Sequence, residues 1–165
     1  MSPAGWSLCL AKEDFKFSVA HFTLFGPTKA EPLHGHNYRI SLEVEGDELD
    51  EAGLLADTDS LKRRVRELCN ELDDKVLLPE RSPWLEIRTE GEALECRFAS
   101  RVYRFPIAEV VLLPLVNVSM ELLARWTWRA LAGDLSSPRL RRLVVEIAET
   151  PGQASRYSGP LGAAR

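Results

Sequence analysis

A strict alternation of apolar and polar residues between positions 36 and 46 constrains the fold more than any other feature of this sequence. The apolar positions are Tyr38, Ile40, Leu42 and Val44, and the polar positions between them are Asn37, Arg39, Ser41 and Glu43. Because successive side chains of a β-strand point to opposite faces of a sheet, this pattern predicts one long strand with an apolar face and a polar face.

Two further strands are predicted from their patterns. Phe15, Phe17, Val19 and His21 share one parity, which predicts a first strand with the histidine on its apolar face. The loop that follows is marked by Gly26, Pro27 and Pro32. A last strand is predicted over 140–149, where Leu143, Val145, Ile147 and Glu149 share a face.

Two helices are predicted, over 57–72 and over about 119–131, from capping residues and apolar stripes. The segment 84–105 is predicted to form a small β-structure with two turns, inserted within about 80–110. The tail that follows Pro151 is expected to fray at its end. The order strand, strand, helix, hairpin, helix, strand favours an antiparallel α+β fold over a parallel βαβ fold. The length of 165 residues predicts a single domain over 1–165.

Composition excludes several classes of partner. The net charge is −4 and the sequence has no basic stripe, so no nucleic-acid partner is expected. No apolar run approaches the ~20 residues that cross a bilayer, and the first fifteen residues do not resemble a signal peptide. The three cysteines, Cys9, Cys69 and Cys96, fit neither a disulfide framework nor a CxxC metal site. A cytoplasmic protein with reduced thiols is therefore expected.

The only three histidines of the chain, His21, His34 and His36, fall within sixteen positions. His34 and His36 are two residues apart, so an extended backbone points both imidazoles to the same side. Three neutral imidazoles suit Zn²⁺ and leave its fourth position open, as a catalytic zinc requires. A structural zinc would normally need a fourth protein ligand, and the sequence shows no candidate for it.

Several motifs resemble those of the 6-pyruvoyltetrahydropterin synthase and 6-carboxytetrahydropterin synthase family. The resemblance covers about residues 15 to 150, in the order of the family. The motifs are Phe17-Ser18-Val19-Ala20-His21, His34-Gly35-His36-Asn37-Tyr38, Gly46, Asp57-Thr58-Asp59-Ser60-Leu61-Lys62, Leu72-Asp73-Asp74, Asn117-Val118-Ser119-Met120-Glu121-Leu122-Leu123-Ala124 and Glu149-Thr150.

The resemblance implies the tunnelling fold, an antiparallel four-stranded sheet with two helices on one face, here with an inserted β-hairpin. It implies that His21, His34 and His36 bind zinc, and that subunits join into a homohexamer with sites at their interfaces. Glu149 would anchor a dihydropterin, because a carboxylate offers two acceptors to the ring amino and N–H groups. Glu121 matches a polar family position near the substrate.

The sequence departs from the family pattern at two positions. Ala30 stands where the synthases carry a catalytic cysteine, and Glu31 follows it. The resulting ExxHGH arrangement resembles a subgroup that cleaves the dihydroneopterin side chain to 6-hydroxymethyl-7,8-dihydropterin, a folate precursor. Asp73 keeps the aspartate of the family's Asp-His pair, whereas Asp74 replaces the relay histidine.

The predicted activity is therefore that of a zinc-dependent pterin lyase with Glu31 as the general base. Asp73, Asp74 or a water would complete the proton path. One alternative is a synthase that makes 6-pyruvoyl- or 6-carboxytetrahydropterin from dihydroneopterin triphosphate, and another is a pterin-binding protein without turnover. The pathway served, folate or queuosine biosynthesis, stays open.

Overall fold

A computed structural model describes residues 5–135 and 137–162 of the protein. In these residues the chain forms ten strands, two α-helices and one short 3-10 helix (Ile107–Glu109). The strands are β1 (Trp6–Leu10), β2 (Lys16–His21), β3 (His34–Gly46), β4 (Lys75–Pro79), β5 (Glu86–Glu90), β6 (Ala93–Phe98), β7 (Arg101–Pro106), β8 (Val110–Leu113), β9 (Leu140–Thr150) and β10 (Gln153–Pro160). The helices are α1 (Thr58–Leu72) and α2 (Met120–Ala132).

Seven strands form one curled sheet in the order β10-β9-β3-β2-β4-β8, and β1 also pairs with β3. The pairings of β3 with β1, β2 and β9 are antiparallel, whereas β4 runs parallel to both β2 and β8. The α+β class is confirmed, but the sheet is mixed and larger than the predicted four-stranded antiparallel sheet. Strands β4 and β8 are short apolar runs without a period of two, so alternation could not indicate them.

Both helices pack on one face of the sheet, as expected. Helix α2 lies against β9 and β10, and α1 lies against β2. The helices begin at the predicted caps, because the Asp57 carboxylate accepts from the backbone N–H groups of Asp59 and Ser60, and Ser119 Oγ accepts from that of Leu122. The core-facing side chains of β3, including those of Tyr38 and Ile40, are buried beneath the two helices.

The segment predicted as a β insertion forms a separate three-stranded antiparallel sheet, β5-β6-β7, with turns after Glu90 and Phe98. It therefore contains two consecutive hairpins rather than one. Its apolar face joins a second core cluster, whose buried members are Phe22, Leu24, Leu78, Leu85, Leu94, Cys96 and Phe98. This small sheet consequently covers the loop between β2 and β3.

The tail from Pro151 forms the edge strand β10, and its end, residues 163–165, where fraying is expected, lies outside the described part of the chain. Backbone pairing with β9 from Ala154↔Ala148 to Pro160↔Arg142 holds it. Gly159 lies beneath the ring of Trp128, where a Cβ would come within 2.6 Å of the ring. In the described residues, neither helix has the length and apolar character that a membrane crossing demands.

Candidate metal centre and active site

The three histidines meet at one end of the sheet, on the face that carries the core. His21 ends β2, His34 begins β3, and the two are direct cross-strand partners. His36 lies two residues further along β3 and points to the same side. The ring centroids are 4.5 to 5.2 Å apart, and the candidate ligand atoms all lie within 4.8 Å of one another.

Backbone carbonyls orient two of the three imidazoles. Nδ1 of His21 donates to the carbonyl oxygen of Val118 at 3.2 Å, and Nδ1 of His34 donates to that of Pro32 at 2.8 Å. A carbonyl can only accept, so the proton of each ring sits on Nδ1 and each Nε2 is the nitrogen that carries the lone pair. Carbonyl partners of this kind orient metal-binding histidines in other proteins.

The histidine cluster fits a zinc ion in its donor chemistry. Burial and the neighbouring His34 and His36 lower the pKa of His21 to about 4, so its imidazole is neutral at pH 7. Neutral imidazoles are the form that binds a metal. In a tetrahedral zinc site with ~2.0–2.1 Å bonds, ligand nitrogens are about 3.3 Å apart. The candidate ligand atoms of the three histidines lie within 4.8 Å of one another, which approaches that separation.

Each Nε2 of the cluster faces a different oxygen atom of the protein. The Tyr38 hydroxyl donates to Nε2 of His21 at 2.9 Å. Nε2 of His36 lies 2.7 Å from Oε1 of Glu149, and Nε2 of His34 lies 3.9 Å from Oε2 of Glu31. Both carboxylates singled out in the sequence, for anchoring and for proton transfer, therefore adjoin the candidate metal ligands.

The loop between β2 and β3 holds Glu31 by both its main chain and its side chain. Its backbone N–H donates to the carbonyl oxygen of Thr23 at 3.0 Å, and Oε2 accepts from the Thr23 N–H at 3.0 Å. Burial raises the pKa of Glu31, but the hydrogen bonds from Thr23 and the nearby His34 and His21 outweigh it, so the pKa lies below its usual value. Glu31 is thus an ionised carboxylate at pH 7.

A groove of about 570 Å³ opens beside the cluster. Its lining residues come from β2, β3, β4, the end of β9, the turn before β4 and the 3-10 helix: Ser18, Val19, Ala20, Gly35, His36, Asn37, Asp74, Lys75, Val76, Glu109, Glu149 and Thr150. It contains Glu149, the candidate anchor, and His36, a candidate metal ligand. A flat ring bound in this groove would lie next to the cluster.

Asp73 and Asp74 follow helix α1 but have different surroundings. Oδ1 of Asp73 accepts from the backbone N–H of Ser18 at 2.7 Å, which holds β2 to the end of the helix. Asp74 has a left-handed backbone with φ of 56°, and its N–H donates to the Ser18 carbonyl at 2.7 Å. Both residues are exposed, but Asp74 lines the groove, whereas the Asp73 side chain is bonded to β2.

Glu121 lies in the exposed first turn of α2, outside the residues that line the groove. Its negative charge nevertheless affects the pKa of Tyr38, which contacts the histidine cluster. Burial, then Glu149, Glu31 and Glu121, raise the pKa of Tyr38. The negative charges of these three carboxylates thus disfavour ionisation of the buried hydroxyl that contacts His21.

Sequence reasoning missed Tyr38 and Asn117 as site residues. Tyr38 has the same parity in β3 as His34 and His36, and this parity could have predicted that its side chain lies on the same face as the histidines. The Asn117 amide accepts from the Leu24 N–H at 3.0 Å and donates to the Leu24 carbonyl at 2.9 Å. No local pattern could indicate this contact, because it spans ninety-three positions.

The fold and the site define an α+β protein with a three-histidine candidate metal site next to carboxylates suited to acid–base chemistry. A family model described as 6-pyruvoyl tetrahydropterin synthase matches residues 10–160. The chain belongs to the 6-pyruvoyl tetrahydropterin synthase family, whose enzymes are lyases acting on pterins.

Relatives and solved structures agree with this family. The chain is 28% identical over 145 residues to a Methanocaldococcus jannaschii protein provisionally named 6-carboxy-5,6,7,8-tetrahydropterin synthase, covering 86% of this chain and 88% of that protein. A Pyrococcus abyssi protein with the same provisional name is 31% identical over 137 residues, covering 82% and 81%.

The crystal structure of Plasmodium vivax 6-pyruvoyl tetrahydropterin synthase superposes with a TM-score of 0.89 at 27% identity, covering 96% of this chain and 99% of that one. Two further structures of the Plasmodium vivax protein are of variants in which a glutamate, described there as a catalytic residue, is replaced by alanine or by cysteine.

Proposed function

We propose that this protein is a zinc-dependent lyase that cleaves the side chain of dihydroneopterin to give 6-hydroxymethyl-7,8-dihydropterin. The observation that carries the proposal is the carboxylate of Glu31, which lies 3.9 Å from Nε2 of His34. The neighbouring Ala30 has no group that can transfer a proton. The catalytic glutamate described for the Plasmodium vivax protein supports a glutamate in this role.

His21, His34 and His36 would hold the zinc ion. Bound there, zinc supplies a Lewis acid that polarises the hydroxyl groups of the pterin side chain. The carbonyl oxygens of Val118 and Pro32 hold the rings of His21 and His34 through Nδ1, so that Nε2 of each is the nitrogen that would bind zinc.

Glu31 acts as the general base. Its carboxylate takes the proton from the hydroxyl on the second side-chain carbon, and that carbon becomes the aldehyde carbon of glycolaldehyde as the bond to the first carbon breaks. The electron pair of that bond enters the dihydropterin ring system, and a proton returned to the first side-chain carbon completes the hydroxymethyl product. Thr23 holds Oε2 through its N–H, which leaves Oε1 of Glu31 to face the substrate.

Glu149 anchors the pterin ring in the groove. A carboxylate accepts two parallel hydrogen bonds from the ring amino group and the adjacent N–H, which fixes the ring in its plane. Glu121 is proposed as a further substrate-binding residue at the start of α2.

Asp73, Asp74 or a water completes the proton path. Asp74 has the stronger structural support, because it lines the groove with His36 and Glu149. Asp73 already accepts a hydrogen bond from Ser18, so one of its oxygens has a structural task.

We further propose a cytoplasmic homohexamer with sites at the subunit interfaces and with no nucleic-acid or membrane partner. Strands β8 and β10 end the sheet order, so each has an outer edge without a partner strand in the described part of the chain. Edges of this kind are usually paired or covered. The groove extends to Lys75 and Val76 of β4, the strand next to β8, which places it close to one such edge.

A synthase acting on dihydroneopterin triphosphate is the second candidate. The names of the two archaeal relatives and of the Plasmodium vivax protein favour it. In that case Glu31 would do the work of the synthases' cysteine. A third candidate is a pterin-binding protein that keeps His21, His34, His36 and Glu149 but has no turnover.

One assay tests these alternatives. Zinc-loaded protein is offered dihydroneopterin and its triphosphate in parallel, and the products are identified by mass spectrometry. The proposal requires 6-hydroxymethyl-7,8-dihydropterin and glycolaldehyde. A pyruvoyl or carboxy product from the triphosphate would replace the proposal with the synthase. Tight binding of both compounds without any product would favour the third candidate, a pterin-binding protein without turnover.

A further inference from the structure

The inserted sheet contacts the loop of Glu31 through Arg101, the first residue of β7. One terminal nitrogen of its guanidinium donates to the carbonyl oxygen of Glu31 at 2.6 Å, and the other donates to the carbonyl oxygen of Ala30 at 3.2 Å. The guanidinium is planar and charged at every working pH, so its two donors keep a fixed geometry. Two successive carbonyls are therefore held in one orientation.

The loop is held from both sides. In the first half of the loop, the Asn117 amide is hydrogen-bonded to the N–H and the carbonyl of Leu24. In the second half, Arg101 donates to the carbonyls of Ala30 and Glu31. A β-bridge between Leu24 and Ala30 joins the two halves. The main fold therefore fixes one half of the loop, and the inserted sheet fixes the half that carries Glu31.

Apolar packing also holds the inserted sheet against the loop. Phe22, a buried member of the second core cluster, stacks on Tyr103 with ring centroids 5.4 Å apart, and Tyr103 packs against that cluster. Such contacts are not directional and do not by themselves fix the peptide planes of the loop. The plane that precedes Glu31 is held by the bond from its N–H to the Thr23 carbonyl and by the bond from Arg101 to the Ala30 carbonyl. The plane that follows Glu31 is held by the bond from Arg101 to the Glu31 carbonyl, and the two planes together set the direction of the Glu31 side chain.

We propose that Arg101 is a positioning residue that holds the Glu31 carboxylate beside His34. The inference rests on the proposed function, in which Glu31 is the general base. The inserted sheet then contributes to the reaction by placing Arg101 against the loop, seventy positions away from Glu31 in the sequence. It contributes alignment, and no group of the inserted sheet needs to touch the substrate.

The first test compares three variants of the zinc-loaded, full-length protein. Arg101→Gln should lower kcat by about 10- to 100-fold, the usual result of a small misplacement of a catalytic group, while KM stays within about threefold. Arg101→Lys keeps one cationic donor and should recover part of the loss. Arg104→Gln is the matched control, because Arg104 is an exposed residue of the same strand. An unchanged kcat in Arg101→Gln overturns the proposal.

A double-mutant cycle separates positioning from a general loss of structure. If Arg101 acts through Glu31, adding Arg101→Gln to a Glu31→Gln protein should lower kcat no further. A structural defect would lower the residual rate of Glu31→Gln by the same factor as in the wild type. Additive losses therefore overturn the proposal.

Hydrogen exchange gives a readout that does not depend on turnover. Arg101→Gln should speed amide exchange at Thr23 and Glu31 at least tenfold and leave it unchanged in α1, whereas Arg104→Gln should change neither. If the wild type turned over no dihydropterin, the proposed function would fail, and this result would still decide whether Arg101 positions Glu31. Unchanged exchange at both amides, or equal changes in the two variants, overturns the proposal.

Discussion

Nε2 of His36 lies 2.7 Å from Oε1 of Glu149, which joins β3 to β9 at the edge of the groove. A carboxylate only accepts hydrogen bonds, so this nitrogen carries a proton in the structure. The same nitrogen cannot bind a metal and keep that proton. Metal binding at His36 therefore releases Glu149, and the released carboxylate can offer both oxygens to a pterin ring.

The first prediction is that zinc and pterin bind cooperatively. We expect 6-methyl-7,8-dihydropterin, which has no side-chain hydroxyls to reach the metal, to bind about 5- to 150-fold more tightly to the zinc-loaded protein than to the chelator-stripped protein. The reason is that the stripped protein must first break the contact between His36 and Glu149. Isothermal titration calorimetry on both forms measures the ratio, and equal affinities would contradict the coupling.

Glu149→Gln is the control for this prediction. Its amide replaces one acceptor by a donor, so pterin binding to the zinc-loaded protein should weaken by roughly 2–5 kcal/mol, the cost of losing a buried charged partner. Zinc content should stay the same. Unaltered pterin affinity would mean that Glu149 is not the anchor.

The second prediction concerns the metal content. The purified protein should contain about one zinc per chain, and His34→Ala should lose most of it, because two imidazoles hold zinc weakly. Elemental analysis by mass spectrometry measures the stoichiometry, with Arg104→Gln as a control that keeps the metal. Full zinc occupancy in His34→Ala would place the metal elsewhere.

The third prediction assigns the base. Glu31→Gln should retain zinc and pterin binding but lose turnover by about 10²–10⁴-fold, the usual contribution of a positioned base. Steady-state rates and calorimetry on the same sample separate the two effects. Full activity would move the base to Asp73, Asp74 or a water molecule. Ala30→Cys, which restores the synthase residue, tests whether the products shift toward the synthase outcome.

The fourth prediction follows from the low pKa of His21. Burial, with His34 and His36, lowers this pKa from 6.5 to about 4. Between these values the unfolded chain binds a proton at His21 and the native protein does not. The free energy of unfolding of the metal-free protein should therefore fall as the pH drops from 6.5 to 4, by at most about 1.4 kcal/mol per pH unit from this residue.

Urea unfolding with a chelator present, at several pH values in this window, measures the slope. In His21→Gln the residue no longer titrates, so the slope should be smaller. The carboxylates Asp14 and Glu31 also have lowered pKa values, and their contributions are lost as the pH falls below 3.8 and 4.5, so the slope is best read above pH 4.5. An equal slope in the variant and the wild type would show that the pKa of His21 is not lowered in the native state.

The fifth prediction concerns assembly. Light scattering at micromolar concentration should give the mass of a hexamer, since the outer edges of β8 and β10 need partners. Leu112 is 38% exposed on β8, and Leu112→Lys should shift the protein toward smaller species. A wild-type monomer would contradict the proposed assembly.

The sequence could predict the elements whose side chains repeat with a clear period. Strand β3, both helices and the cap at Asp57 have such local patterns, and the structure confirms them. The common face of His34 and His36 follows from the same period of two. The proximity of His21 follows from the family motif and is explained by its pairing with His34.

The remaining features depend on contacts between distant parts of the chain. Strand β10 is rich in small and polar residues, and backbone bonds to β9 hold it without an apolar pattern. Arg101 lies seventy positions from Glu31, so nothing local connects them. The contact between His36 and Glu149 requires the register of β3 on β9, which only the folded sheet provides.

The direct pairing of His21 with His34 limits how a chain of this kind can diverge. The histidines share their face of β3 with the core residues Tyr38 and Ile40. A single-residue insertion within this strand would turn either the core or the histidines outward. Lineages with this architecture can therefore lengthen the chain between its helices, where the small sheet lies, while the central strand must keep its length.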